Sequence, residues 1–274
     1  MLCSVESHIK KVWREQKPIA PWRITELLPN IAPHLHPGEQ HDAHEFLRFL
    51  VDRMQQSCLF QQSMPMQQSS FYPFYLFQGQ LLDSIQCTRC RNISTHFELF
   101  EDLQLNIESI HNIEDALDIY FAQETVQGDN SYDCKRCHQK TKAVKKLQFN
   151  NLPPLLTLQL KRFSFSKFSG NLMHKFNHDV KFPCNIDLSK YTQSTTAKKS
   201  SDTKQQSSRN TPSENTTYHL YGVIVHSGAS PDSGHYYSYI QSPTNLQWYK
   251  MDDTSVQKVH AYEVFSAKSL PPIL

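Results

Sequence analysis

Hydrophobic positions in the first quarter of the chain recur at helical spacing. From Asp42 they fall at Ala43, Phe46, Leu47, Leu50, Val51 and Met54, the i, i+3, i+4, i+7 order that gives a helix one buried face. Pro37-Gly38 marks the loop before it. Residues 55–70 are rich in glutamine and serine, show little periodicity, and read as a connection. From Phe71 to Ile107 the spacing shortens toward two, at Phe77, Leu81, Ile85, Phe97, Leu99, Leu103, Leu105 and Ile107, as expected of half-buried strands. A short helix is predicted over Ile113–Tyr120, and strands over 141–149 and 155–163 with Pro153-Pro154 between them. Residues 192–217 are mostly Ser, Thr, Lys, Gln and Asn. So few large apolar side chains cannot offset the entropy of ordering, so a disordered insertion is expected there. Strand patterning returns at 218–226, 235–240 and 247–252.

Composition narrows the class of protein. Hydrophobic residues at 38% and charged residues at 20% fit a folded domain with a sizeable core. A formal charge of +2 is too small to imply a nucleic-acid or membrane partner. No apolar run approaches the ~18 residues of a membrane span, and the N-terminal residues carry no signal-peptide core. Four of the seven cysteines form two Cys-x-x-Cys hooks, Cys87/Cys90 and Cys134/Cys137. That spacing favours metal over disulfides, and so a reducing compartment, cytoplasmic or nuclear. Each hook offers two thiolates from one tight turn, and two hooks close a tetrahedral zinc site with no position left for water. A structural Zn2+ is therefore expected. The alternatives are four unrelated buried cysteines, or a zinc-dependent nucleic-acid-binding module, against which the flanks are not basic or interleaved with aromatics.

A second candidate site lies toward the C-terminus. After the strand ending at His226, a Gly/Ser/Pro/Asp turn leads to His235 at the start of the next strand, exposed enough to exchange protons and rigid enough to be aimed. If 235–240 pairs with 247–252, Ile240 faces Gln247 and His235 faces Asp252. Opposed side chains share a face, and an aspartate beside one imidazole nitrogen fixes the tautomer and stabilises the imidazolium. In a regular strand Asp253 would point to the other face. A surface histidine with a cross-strand charge partner is the alternative.

Six segments in order make the chain resemble the ubiquitin-specific protease family. They are Gln40-His-Asp-Ala-His-Glu-Phe-Leu47, the two hooks, Leu160-Lys-Arg-Phe163, 218–228, 233–239 and 248–256. The resemblance implies an α+β fold with a papain-like cysteine protease core of thumb, palm and fingers. The helical thumb would span 1–70, palm and zinc fingers 71–191, the insertion 192–217, and the palm with its His and Asp 218–274. It implies a deubiquitinase that hydrolyses the isopeptide bond at the C-terminus of ubiquitin, with His235 as general base, Asp252 as its orienter and Asp253 assisting. Zinc on Cys87, Cys90, Cys134 and Cys137 would shape the fingers that cradle ubiquitin, and Asp42 and Glu45 would meet its basic tail. The physical alternative for that last pair is a helix-capping box. Leu160–Phe163 reads as a core strand with one polar edge. Partners would be ubiquitin and ubiquitinated proteins, bound by a monomer.

One departure stands out. The family's Gly-Asn-Thr-Cys box, where a helix start favours the thiolate and asparagine stabilises the oxyanion, has no counterpart here. Cys3 lacks the Gly, Asn and Thr neighbours, Cys58 ends a helix, and Cys184 sits in a Phe-Pro-Cys-Asn turn. The chain is thus expected to be a catalytic domain lacking the N-terminal nucleophile segment, with the apolar face of its 42–54 helix uncovered. A catalytically inactive ubiquitin-binding relative is the second reading.

Overall fold

The computed structural model of the protein describes residues 1–15, 19–59, 74–165, 173–193, 215–230, 233–265 and 272–273. The expected connection beyond Leu59 and nearly all of the expected insertion lie outside the described residues. The chain opens with helices: α1 (Leu2–Glu15), α2 (Trp22–Thr25), α3 (Leu28–Ile31), α4 (Ala43–Leu59) and α5 (Phe74–Phe77). Asp42 starts α4, its Oδ1 accepting the Glu45 N–H at 2.8 Å.

Two helical expectations need correction. The glutamine- and serine-rich stretch does not begin as a connection, since Gln55–Leu59 continue α4. Polar pairs one turn apart support it there: Arg53 and Gln56, Gln56 and Asp52, and the Ser57 hydroxyl on the Arg53 carbonyl. The apolar face of α4 is also covered, because Phe46, Phe49 and Leu50 pack on buried Ile31, Ala32 and Leu35. The exposed apolar side chains lie on α1 and α2 instead, at Ile9, Val12, Trp13 and Trp22.

Strands follow: β1 (Gly79–Cys87), β2 (Ile93–Phe100) and β3 (Leu103–Asn106), then α6 (Ile113–Tyr120). Phe77 falls in α5 and not in a strand. Next come β4 (Glu124–Val126), β5 (Tyr132–Cys134), β6 (Gln139–Thr141) and β7 (Ala143–Asn151). Helix α6 begins as predicted, with Asn112 Oδ1 capping the Asp115 N–H at 2.7 Å and Ile113, Ala116 and Leu117 buried. A four-stranded sheet, β2-β1-β7-β4, carries the first hook at its β1–β2 turn, and the separate β5–β6 pair carries the second.

The remaining strands are β8 (Leu158–Lys161), β9 (Phe163–Phe165), β10 (Met173–Lys175), β11 (Asn185–Asp187), β12 (Thr217–His219), β13 (Gly222–Ser230), β14 (Ser233–Gln241), β15 (Trp248–Asp252) and β16 (Ser255–Val259). Helix α7 (Ala261–Phe265) and β17 (Pro272–Ile273) complete the order. Among the described residues a seven-stranded sheet runs β16-β15-β14-β13-β17-β8-β3. Its core joins Leu103, Leu105, Leu158 and Leu160 to the rings of Phe121, Phe149 and Tyr191. The predicted strand 218–226 divides, β12 pairing with β11 and β13 with β14. Leu160–Phe163 is interrupted too: Arg162 is buried, its Nη1 donating to the Phe176 and His178 carbonyls.

Candidate active site and metal centre

The β14–β15 register differs from the expected one by two residues. Gln241 faces Trp248 and Ser238 faces Met251, which puts Asp252 opposite Tyr237 and diagonal to His235. An even displacement keeps both side chains on one face, and diagonal neighbours remain within reach. His235 Nε2 and Asp252 Oδ1 are 2.6 Å apart, and Lys250 Nζ donates to Asp252 Oδ2 at 2.8 Å. His235 is the third residue of β14, not the first, and its side chain is 47% exposed. The hydrogen bond to Asp252, then the charges of Asp252 and Asp253, raise its pKa above the ordinary imidazole value. Asp252 is lowered, first by Lys250 and then by His235.

Asp253 does not continue the strand. It takes a left-handed conformation, φ 49°, in the turn between Asp252 and Ser255. That turn, and not strand alternation, brings the carboxylate into a cluster whose His235, Asp252 and Asp253 ligand atoms lie within 4.8 Å of one another.

Two histidines outside this cluster escaped the sequence reading. His44 is 5% exposed and its Nε2 meets Asp102 Oδ2 at 3.0 Å, pinning α4 to the β2–β3 turn. His226 is also 5% exposed and packs against Phe163 and Tyr236, its Nδ1 without a hydrogen-bond partner among the described residues. Burial first, and then the Lys175 ammonium, hold its pKa below the ordinary value. Lys175 Nζ in turn donates to the carbonyls of His226 and Gly228.

Beside α4 lies an open cavity of about 760 Å³ lined by Asp42, Glu45, Asp52, Glu101, Arg48 and Arg162, among others. Four carboxylates against three cations, Arg48, Lys161 and Arg162, leave its wall a slight acidic excess. Asp42 therefore both caps the helix and lines the cavity. Glu45 lies 3.3 Å from His34 Nε2.

The hooks meet as predicted. Cys87 and Cys137 sulfurs are 3.9 Å apart, Cys90 and Cys134 3.6 Å, and all four lie within 4.8 Å of one another. Four thiolates around one zinc at ~2.3 Å stand about 3.8 Å apart, so the donor set fits that ion. The two turns share one geometry. Arg91 N donates to the Cys87 carbonyl at 2.9 Å and His138 N to that of Cys134 at 2.8 Å. Arg91 and His138 both have positive φ, 58° and 52°. The hydrogen bond with Cys90, and then burial, push the Cys137 thiol up to about 12, while the hydrogen bond with the Thr141 hydroxyl draws Cys87 down to about 6. A bound cation would remove the repulsion among four thiolates.

The sequence profile of the ubiquitin carboxyl-terminal hydrolases matches residues 1–271. The chain belongs to that family. It is 35% identical over 276 residues to ubiquitin carboxyl-terminal hydrolase 19 of Arabidopsis thaliana, covering 98% of this chain and 38% of that protein. To human ubiquitin carboxyl-terminal hydrolase 42 it is 30% identical, covering 98% of this chain and 19% of the relative. Among solved structures it resembles the SAGA Ubp8/Sgf11/Sus1/Sgf73 DUB module bound to ubiquitin aldehyde, with a TM-score of 0.75 and 26% identity over 92% of this chain and 52% of that one. The chain thus spans about half or less of the relatives compared here. The structural neighbours are ubiquitin-specific protease domains, and the expected α+β, papain-like core holds.

The remaining cysteines are Cys3, Cys58 and Cys184. Cys3 is exposed on α1, Cys58 is near the end of α4, and Cys184 lies 3.7 Å from Nδ1 of a different histidine, His219. No hydrogen bond joins any of the seven to His235 among the described residues.

Proposed function

We propose that this chain carries the general base and the ubiquitin-docking surface of a thiol isopeptidase that removes ubiquitin from proteins. The observation that carries the reading is the His235–Asp252 pair at 2.6 Å, on a strand beside the acidic cavity. Asp252 accepts a hydrogen bond from Nε2–H and so leaves Nδ1 as the lone-pair nitrogen. Nδ1 takes the proton of a cysteine thiol, and the thiolate attacks the terminal glycine carbonyl of ubiquitin. The imidazolium returns that proton to the lysine amine as the C–N bond breaks. Water then attacks the thioester, giving a proton to Nδ1; the C–S bond breaks, ubiquitin leaves with a free carboxylate, and the imidazolium returns its proton to the cysteine thiolate. The negative charges of Asp252 and Asp253 stabilise the imidazolium at each stage.

Docking rests on two further surfaces. Asp42 and Glu45 give the cavity carboxylates for a basic peptide tail. Ile93, Phe97 and Leu99 alternate along one exposed face of β2, an apolar stripe suited to the globular body of ubiquitin. Zinc is the metal we assign to Cys87, Cys90, Cys134 and Cys137, where it would fix the β1 and β5–β6 turns as structural ion. Seven free cysteines suit a reducing compartment, cytoplasmic or nuclear.

A ubiquitin derivative with an electrophilic C-terminus tests the proposal. The 274-residue chain should bind ubiquitin reversibly and form no adduct, whereas a longer protein that contributes the thiol should be labelled. No binding by the folded chain would overturn the reading. An adduct on Cys3, Cys58 or Cys184 would overturn the assignment of the thiol elsewhere. The absence of a cysteine bonded to His235 favours a second reading, a catalytically inactive ubiquitin-binding relative, which predicts binding without labelling for the longer protein also.

A further inference from the structure

We infer that Gln40 is a positioning residue for His235, its side-chain amide replacing a strand partner that the sheet does not provide. This rests on the reading of His235 as the base. The registered β14–β15 pairs stop at Ser238↔Met251, and β15 gives way to the Asp253 turn. Toward its start, β14 therefore has peptide groups on that edge with no neighbouring strand among the described residues. Gln40 fills the place. Its Nε2 donates to the Gly234 carbonyl at 2.9 Å, and the Gly234 N–H donates to its Oε1 at 3.0 Å. The amide has only one orientation that serves, because Gly234 N–H can only donate and its C=O only accept. Such paired bonds to one residue are what an antiparallel strand would supply.

The other edge of Gly234 is closed. Ser227 pairs with His235 on β13, and a Cβ built on Gly234 would lie 2.2 Å from the Nε2 of buried His226. Gly234 is thus pressed against an imidazole on one side and gripped by an amide on the other. The next side chain, His235, is half exposed and has little packing to aim it, so its direction depends on this backbone and on Asp252. Gln40 also stands two residues before Asp42, which caps α4 and lines the acidic cavity. One side chain thereby links the base to the helix that bears the docking carboxylates.

Gln40→Met keeps the length and removes both polar ends. Two NMR measurements on the uniformly labelled 274-residue chain read the effect without needing turnover. Exchange of the Gly234 amide should rise about five- to tenfold, the loss expected when one net hydrogen bond is removed. The His235 titration midpoint should fall toward the ordinary imidazole value as its bond to Asp252 loosens, with the overall fold unchanged by circular dichroism. Unchanged exchange and an unchanged midpoint would overturn the inference. Faster exchange with an unmoved midpoint would also overturn it, since the contact would then be structural only. Should Gln40→Met not fold, the unmutated chain still decides. The Gln40 side-chain NH2 must exchange more slowly than the exposed amides of Gln123 and Gln139, and equal rates would sink the clamp. Failure of ubiquitin to bind would leave these outcomes standing and would count against the proposed function alone.

Discussion

His44→Ala should destabilise the protein by about 2–3 kcal/mol, although His44 touches neither the base nor the cysteine knuckle. The His44 side chain is 7% exposed, and the Asp102 side chain it meets at 3.0 Å is 10% exposed. Removing one partner of a buried pair costs about 3–5 kcal/mol, because the other is left charged and desolvated. Arg48 Nε lies 3.7 Å from the same carboxylate oxygen and its side chain is 57% exposed. It can close on Asp102 when His44 is gone, which takes the expected loss to the lower figure. With a urea m-value of about 2–3 kcal/mol per M, the midpoint should fall by about 1 M. Asp102→Asn keeps an oxygen for the imidazole N–H and should cost about 1 kcal/mol. The double variant should reveal a coupling of about 1–2 kcal/mol.

The same pair has a pH signature. Burial is the largest influence on Asp102 and pulls its pKa upward, but the hydrogen bond and charge of His44 together with the charge of Arg48 outweigh it, so the net shift is downward. A carboxyl depressed in the folded state contributes stability that is complete above its unfolded pKa and lost as pH falls through the folded one. The gap between the parent chain and Asp102→Asn should therefore be widest near neutrality and close in acid. A cost below about 0.5 kcal/mol for His44→Ala, the scatter of neutral surface changes, would refute the pin between α4 and the β2–β3 turn.

Three other outcomes follow from the geometry. Purified chain should carry about one zinc, by elemental analysis, and Cys134→Ser should carry none, since three thiolates leave the tetrahedron open; a folded, metal-free parent chain would end that assignment. Asp252→Asn should lower the His235 midpoint in an NMR titration. Because Asp252 raises that pKa, the His235 contribution is complete below the ordinary imidazole value and is lost as pH rises through the folded value. The parent's margin over the variant should narrow in alkali to what the Lys250 pair leaves, and close in strong acid as the depressed Asp252 carboxyl takes a proton. Phe149→Ala should cost about 3–5 kcal/mol in denaturant unfolding, because Phe149 is 1% exposed and its ring meets Phe100 and Phe121 at 5.7 and 4.7 Å.

What the sequence disclosed follows from the range over which each interaction acts. The α4 stripe and the α6 helix depend on neighbours within four residues, and both are legible. The hooks are legible because each is a closed local turn, ending on Arg91 and His138 at positive φ; only their meeting is long-range, and metal chemistry supplies that. The continuation of α4 through Gln55–Leu59 was missed because its support is polar pairing along the helix surface, which a hydrophobic period cannot register. Arg162 in a buried position was missed because its partners, the Phe176 and His178 carbonyls, come from a segment beyond β9.

The His235–Asp252 pairing survives an error in register for a reason that also limits such reasoning. Side chains alternate with a period of two, so a two-residue displacement leaves His235 and Asp252 on the same face and turns an opposed pair into a diagonal one. A displacement of one residue would have separated them. Asp253 escaped this protection: it lies past the last ladder pair, where its own φ and not alternation sets direction. Gln40 lies further from view, because its partner is 194 residues away and is a backbone group, which every residue type but proline offers alike. The legible part of this site is therefore what lies on the strands, and the illegible part is what holds the strand ends. If His235 acts as proposed, its aim depends on both.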